Sequence, residues 1–183
     1  GHSTGFHNSV GIVKFEKDKD YHPRGCFALQ AVAHGYAALC IEQRGMGERR
    51  PTERNRGGDT CNFTAYRSLM MGRTLIGERV FDISRGIDML ANFPQCDISR
   101  LAITGNSGGG TATYYAACYD ERIRFAVPSC AFCTYKASIL DMSHCSCNYI
   151  PSAYEQFEMQ DLACLIAPRN LTVVAGNEDP IFP

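Results

Sequence analysis

Residues 101–113 read LAITGNSGGGTAT, and this stretch decides the fold. The apolar run at 101–104 predicts a short buried strand, and the small residues that begin 108–118 predict a closely packed helix. Between the two lies the pattern Gly-x-Ser-x-Gly, with Ser107 at its centre. This context predicts a tight turn that presents the Ser107 hydroxyl at the carboxyl edge of a parallel sheet.

The residues around this serine suit nucleophilic catalysis. A strained turn needs neighbours without bulky side chains, and glycine at positions 105 and 109 lets the helix approach the strand. Ser107 is therefore the predicted nucleophile. The backbone N–H of Gly108, at the start of the helix, is the predicted donor to an oxyanion. The pattern also fits a plain glycine-rich turn with a helix-capping serine, whereas no Lys-Ser/Thr follows it as in a phosphate-binding loop.

Strands and helices alternate along the rest of the chain. Further apolar runs predict buried strands at residues 36–41, 123–127 and 171–175. Helices are predicted from Pro23 to Val32, where Gly35 supplies the stop, and from about Tyr66 to Phe93. The second helix has one apolar stripe, which contains Val80, Ile83, Ile87 and Leu90. This order predicts an α/β fold, a three-layer α/β/α sandwich around a mostly parallel sheet.

Two long segments interrupt this alternation. Residues 43–64 are polar and rich in glycine, arginine and threonine, which predicts a long loop. Residues 134–160 carry aromatic side chains without clear periodicity, and we interpret them as a cap-like insertion. The length of 183 residues fits a single domain over 1–183.

The composition of the chain limits which classes of partner and which cellular compartment we expect. A formal net charge of −1 gives no electrostatic case for nucleic acid or an anionic membrane surface. No apolar run approaches the roughly 20 residues that a membrane-spanning helix needs. The ten cysteines, several inside apolar runs, are expected to be reduced, which favours the cytoplasm. The chain begins with Gly1 rather than methionine, so we expect a further segment upstream.

An activated serine also needs a base and a carboxylate that orients it. Asp179 follows the last predicted strand at the same sheet edge as Ser107, so it is the predicted acid, with Glu178 as its competitor. A carboxylate that only caps a following helix is the other interpretation of this position. His144 is the internal candidate for the base. Since the base usually follows the acid, we expect it beyond Pro183, and we expect this chain not to complete a triad.

Three segments together resemble the acetyl xylan esterase and dienelactone hydrolase-like group of α/β-hydrolases. These segments are residues 96–109, residues 42–47 and the pair 166–169 with 176–183. The resemblance implies the α/β-hydrolase fold, here truncated at both ends, with Ser107 as nucleophile and Asp179 as acid. It also implies that His2 belongs to an oxyanion loop and donates a second backbone N–H.

The predicted function is therefore that of a serine hydrolase that cleaves a carboxylic ester through an acyl-enzyme on Ser107. The expected partner is a small-molecule or carbohydrate ester, such as an acetylated carbohydrate, and no cofactor is expected. A peptidase on the same fold and a non-catalytic binding domain that retains the fold are the alternatives.

A cysteine-rich stretch raises the question of a metal. Cys130, Cys133, His144, Cys145 and Cys147 could in principle supply zinc ligands. The Cys-x-Cys spacing at 145–147 is shorter than that of the usual zinc knuckle, and Cys130 falls at the end of a predicted core strand. We therefore expect no metal here, and a disulfide within 134–160 is the other alternative.

Overall fold

The computed structural model describes residues 5–14, 16–50 and 60–183. Its parallel sheet consists of β1 (Ala102–Asn106), β2 (Phe125–Ser129) and β3 (Asn170–Leu171), in that order. The register pairs Ala102 with Phe125 and Phe125 with Asn170. A further bridge between Ser129 and Val174 prolongs the pairing beyond β3, so the strand predicted at 171–175 is broadly confirmed.

Helices surround this sheet. The α-helices of the described ranges are α1 (Phe6–Ser9), α2 (Phe27–Ala33), α3 (Thr60–Met70), α4 (Leu75–Leu90), α5 (Gly108–Tyr119) and α6 (Ala153–Gln156). The described ranges also contain 3₁₀ segments at Glu16–Tyr21, Gly47–Arg49, Ile98–Arg100, Ser146–Asn148 and Met159–Leu165, and a π-helical turn at Tyr135–Leu140. None of the helices in these ranges has both the length and the apolarity to cross a bilayer.

The strand predicted at 36–41 is wrong for this structure. The segment does not form a strand and pairs with no other strand of the described chain. Tyr36 is 64% exposed, and a buried strand would hide it. Side chains near its end lie instead against α4, where a Cβ on Gly86 would come within 2.7 Å of Ile41 Cδ1. An apolar run forms a strand only when a neighbouring backbone supplies its hydrogen bonds.

The single helix predicted from Tyr66 to Phe93 is also wrong, because α3 and α4 are separated by a break at 71–74. Gly72 adopts a φ of 69°, a left-handed conformation that ends a helix readily when the residue is glycine. Thr74 then caps α4, its side-chain oxygen accepting a hydrogen bond from Gly77 N at 3.1 Å. The predicted loop at 43–64 ends earlier than expected, since α3 already begins at Thr60.

The main core lies between α4, α5 and the sheet. The apolar stripe predicted on α4 is confirmed for three of its four residues, since Val80 and Ile87 are buried there and Ile83 packs against them. Leu90 is only partly buried and is not among the described side chains of this core. The short helices after β2 contribute buried side chains to the same core, including Tyr135 and Met159. The Tyr114 hydroxyl on α5 donates to Met159 O at 2.6 Å and so ties this segment to the helix that follows Ser107. The description of 134–160 as a cap remains a prediction.

Candidate active site

The carboxyl ends of three neighbouring parallel segments meet at one edge of the sheet. Ser107 follows β1, Cys130 follows β2, and Asp179 lies a few residues beyond the Val174 bridge. Cys130 N donates to Val174 O at 2.8 Å, which joins the second and third segments at this edge. Ligands of open α/β sheets bind outside the carboxyl ends of the strands, so this edge is the candidate site.

Ser107 occupies the turn between β1 and α5 in a strained conformation. Its φ of 55° and ψ of −125° place it in a region that residues with a side chain rarely adopt. Such strain costs on the order of 1–3 kcal/mol and persists only where the surroundings impose it. Here Ser107 N donates to Ser129 O at 2.9 Å, and Ser107 O accepts from Thr111 N at 2.9 Å. The predicted turn is thus present, whereas the catalytic role of Ser107 stays a prediction.

Close packing of α5 on the sheet depends on two glycines. A Cβ on Gly105 would lie 2.5 Å from the backbone carbon and oxygen of Gly109. A Cβ on Gly110 would collide with Ser129 O and lie 2.7 Å from Ala131 Cβ. At Gly109 itself the only atom of the described residues that an added Cβ would meet is Gln43 Nε2, at 4.0 Å. The sequence-based expectation that positions 105 and 109 must both lack a side chain is therefore correct for 105 and wrong for 109.

Replacing Gly105 with alanine is expected to lower the free energy of unfolding by about 3 kcal/mol. The added methyl meets backbone atoms that cannot rotate away, so the strand and helix must separate. Urea unfolding followed by circular dichroism measures the change. Gly109→Ala is the matched control, because its methyl has room and helix propensity favours alanine. Equal destabilisation by the two substitutions would contradict this account of the packing.

Only one of the two predicted oxyanion donors lies among the described residues. Gly108 is buried and is the first residue of α5, where backbone N–H groups have no carbonyl partner within the helix. His2 lies outside the described residues, so its role stays a prediction. Gln43, which was not predicted as a site residue, is buried, and its Nε2 donates to Gly108 O at 3.3 Å. Its place directly before Arg44 and Gly45 gave no sign of this contact, which joins residues far apart in the chain.

Asp179 has the properties of an ionised carboxylate held in one orientation. Its Oδ1 accepts backbone hydrogen bonds from Phe182 N at 3.0 Å and Ile181 N at 2.9 Å. These two donors lower the pKa of Asp179 below its usual value, with a smaller contribution from the Cys130 thiol. Asp179 therefore stays negatively charged at neutral pH, as an acid that orients an imidazole must.

His144 does not have the orientation of a triad base in this structure. Its Nδ1 accepts hydrogen bonds from Cys145 N at 3.0 Å and from Asn148 Nδ2 at 2.8 Å. Its ring packs edge-on against Phe182 with the centroids 5.0 Å apart. A triad histidine donates Nδ1–H to the acid, whereas an Nδ1 that accepts from a backbone N–H carries no proton. The base expected beyond Pro183 therefore stays a prediction.

Comparison with known proteins shows which family this chain belongs to. The family model described as acetyl xylan esterase (AXE1) matches residues 12–156. The chain belongs to the acetyl xylan esterase family. The match contains β1, the Ser107 turn and α5, so the family resemblance found in the sequence is confirmed.

Two individual proteins are similar to this chain over most of its length. YtaP of Bacillus subtilis strain 168, provisionally named a hydrolase, is 25% identical over 185 residues, which is 100% of this chain and 60% of YtaP. A solved structure from Bacteroides fragilis NCTC 9343, provisionally named an acetyl xylan esterase, superposes with a TM-score of 0.77 at 18% identity. That superposition covers 94% of this chain and 49% of the other. It confirms the α/β-hydrolase fold, and the chain spans only about half to three-fifths of these relatives' lengths.

The loop at residues 42–49, here called the arginine–glycine loop, is fixed to α4 by ion pairs in this acetyl xylan esterase family member. Arg44 binds Asp82 through two nitrogens, Nε and Nη2, each at 2.8 Å, and Arg49 Nη1 lies 2.6 Å from the same carboxylate. Burial would raise the pKa of Asp82, but these hydrogen bonds outweigh it and hold the pKa below its usual value. Buried Arg79 donates to Arg44 O at 2.7 Å. The loop that carries Gln43 to the Ser107 turn is therefore rigidly held.

The cysteine-rich stretch separates into different places in the fold. Cys133 is buried in the main core, and Cys130 lies at the sheet edge beside Asp179. Cys145 and Cys147 lie instead beside Cys61 of α3, and the three sulfur atoms are within 4.8 Å of one another. Cys61 was not predicted to join this cluster, since nothing in the local pattern links it to residues more than 80 positions away.

Proposed function

We propose that the protein is a carboxylic ester hydrolase in which Ser107 is the nucleophile and Asp179 orients the base. The observation that carries the proposal is the strained backbone of Ser107. This residue has a φ of 55° and lies between a parallel strand and a helix. The surroundings that maintain this strain place a hydroxyl where substrates of α/β folds bind. A serine that merely capped the helix would need no such conformation, and the Ser107 side chain makes no capping hydrogen bond to α5.

The proposed reaction proceeds through an acyl-enzyme. Ser107 Oγ attacks the carbonyl carbon of the ester while its proton passes to an imidazole base. The carbonyl oxygen becomes an oxyanion, which the N–H of Gly108 stabilises at the N-terminus of α5. The bond to the alcohol then breaks, and the alcohol leaves with the proton from the base. Water, deprotonated by the same base, attacks the acyl group and releases the carboxylic acid and free Ser107.

The substrate that we propose is an acetylated carbohydrate. Support comes from membership of the acetyl xylan esterase family and from the name of the Bacteroides fragilis relative. The ionised Asp179 and the rigidly held loop at 42–49 are features of a preorganised site, which acyl transfer needs.

Acetylated xylo-oligosaccharides are expected to lose acetate when incubated with the full-length protein, with a kcat of about 1–10³ s⁻¹. Acetate release is measured enzymatically, and a chromogenic peptide is assayed in parallel. Hydrolysis of the peptide without the acetyl ester would indicate a peptidase instead. Binding of the oligosaccharide without turnover of any ester would indicate a non-catalytic domain.

A further inference from the structure

A buried cluster of three thiols lies apart from the residues assigned to ester hydrolysis. Cys61 is in the first turn of α3, and Cys145 and Cys147 flank the beginning of the 3₁₀ turn Ser146–Asn148. Cys61 is 3% exposed and Cys147 1%. The sulfur atoms of Cys145 and Cys147 are 3.1 Å apart, and all three sulfurs lie within 4.8 Å of one another.

We propose that Cys61, Cys145 and Cys147 bind a thiophilic divalent cation, Zn²⁺, with water as the fourth ligand. Sulfur ligands at about 2.3 Å from a tetrahedral zinc lie about 3.8 Å from each other. The distances between the three sulfur atoms are already close to this value, from 3.1 Å to at most 4.8 Å, so small side-chain movements suffice to enclose the ion. The proposal departs from the sequence-based expectation of no metal because Cys61 supplies a third ligand that the sequence did not reveal. It does not depend on the proposed esterase activity.

The charges around the cluster favour a divalent ion. Three thiolates and Zn²⁺ together carry one negative charge, and a buried charge needs a partner. Arg79 supplies it, since its side chain is 2% exposed and its Nη2 lies 3.1 Å from Cys61 Sγ. Its Nη1 is buried and has no hydrogen-bond acceptor within the described part of the chain. The positive charge of the guanidinium is therefore available to offset the negative charge of the zinc–thiolate group. With a monovalent ion such as Cu⁺, the ion, the three thiolates and the Arg79 guanidinium together would still carry a net negative charge.

An ion bound at this position would link separate segments of the fold. Its ligands come from α3 and from the turn at 146–148, and Leu75 of α4 packs against them. Arg79 reaches from α4 to Cys61 and also to Arg44 O at 2.7 Å. A bound ion would therefore join α3 to the turn at 146–148 and stabilise the base of the arginine–glycine loop.

Metal analysis of the full-length protein, purified with reductant and dialysed, tests the proposal. We expect about one equivalent of zinc, and less than about a tenth of an equivalent in Cys61→Ser or Cys147→Ser. Cys26→Ser is the matched control, since Cys26 is equally buried but lies outside the cluster, and it should retain the full equivalent. Zinc-free protein after reconstitution with Zn²⁺, or a Cys145–Cys147 disulfide detected by mass spectrometry under reducing purification, would overturn the proposal.

Thiol alkylation of the unmodified protein provides a second test that does not depend on the folding of variants. Added Zn²⁺ should slow alkylation of Cys61, Cys145 and Cys147 at least about tenfold, with one common midpoint, because metal-bound thiolates react slowly. Exposed Cys164 should react at an unchanged rate. Protection of Cys145 and Cys147 without Cys61 would show that the three residues do not form one site.

Discussion

With Ser107 replaced by alanine, the full-length protein is expected to hydrolyse an aryl acetate at least about 10⁴-fold more slowly in kcat/KM. In the proposed mechanism this substitution removes the atom that forms the acyl bond and leaves the proposed oxyanion donors in place. Alanine adopts the backbone conformation at position 107 with a cost similar to that of serine, so the fold should be retained. Release of the aryl alcohol at neutral pH, together with a thermal unfolding curve, measures both effects.

An exposed serine provides the control for this substitution. Ser143→Ala removes the same hydroxyl from the surface and should leave kcat/KM within about twofold of the unaltered protein. Retention of more than a tenth of the activity by Ser107→Ala, with normal unfolding, would show that another residue is the nucleophile.

Replacing Asp179 with asparagine is expected to lower kcat for the same ester by about 10³- to 10⁴-fold. In the proposed mechanism the amide removes the negative charge that would orient and stabilise the protonated imidazole. Its Oδ1 can still accept from Ile181 N and Phe182 N, so the turn at 179–182 should persist. Initial rates at saturating substrate and the unfolding temperature are the measurements.

The neighbouring carboxylate is the matched control for Asp179. Glu178 is exposed and was the competing candidate for the acid, and Glu178→Gln should change kcat by less than about threefold. The reverse pattern, a large loss for Glu178→Gln and a small one for Asp179→Asn, would transfer the role of acid to Glu178.

The segment around Ser107 was predictable because its structure depends on near neighbours. The apolar run, the Gly-x-Ser-x-Gly turn and the small-residue helix are contiguous, and the structure confirms β1 and α5 almost at the predicted boundaries. The apolar stripe of α4 was predictable for the same reason, since its period of three to four residues is local. The break at 71–74 was missed because the single Gly72 did not outweigh the helical pattern on either side.

Strand formation and side-chain clustering were less predictable because they depend on distant partners. The apolar content of 36–41 is that of a strand, yet a ladder needs a neighbouring backbone, and the described structure pairs this segment with none. The contact of Gln43 with Gly108 likewise joins two segments that only the packed loop brings together.

The sequence by itself determined the α/β class, the strand–turn–helix at Ser107, the placement of Asp179 after the last strand and the resemblance to the acetyl xylan esterase family. These follow from short motifs and from the rule that carboxyl ends of parallel strands share an edge. Only the tertiary structure decided that Gly110 rather than Gly109 must lack a side chain, that His144 accepts hydrogen bonds through Nδ1, and that Cys61 joins Cys145 and Cys147. The physical reason is that steric exclusion, hydrogen-bond direction and sulfur proximity are set by packing between segments far apart in the chain, and local sequence patterns do not encode those distances.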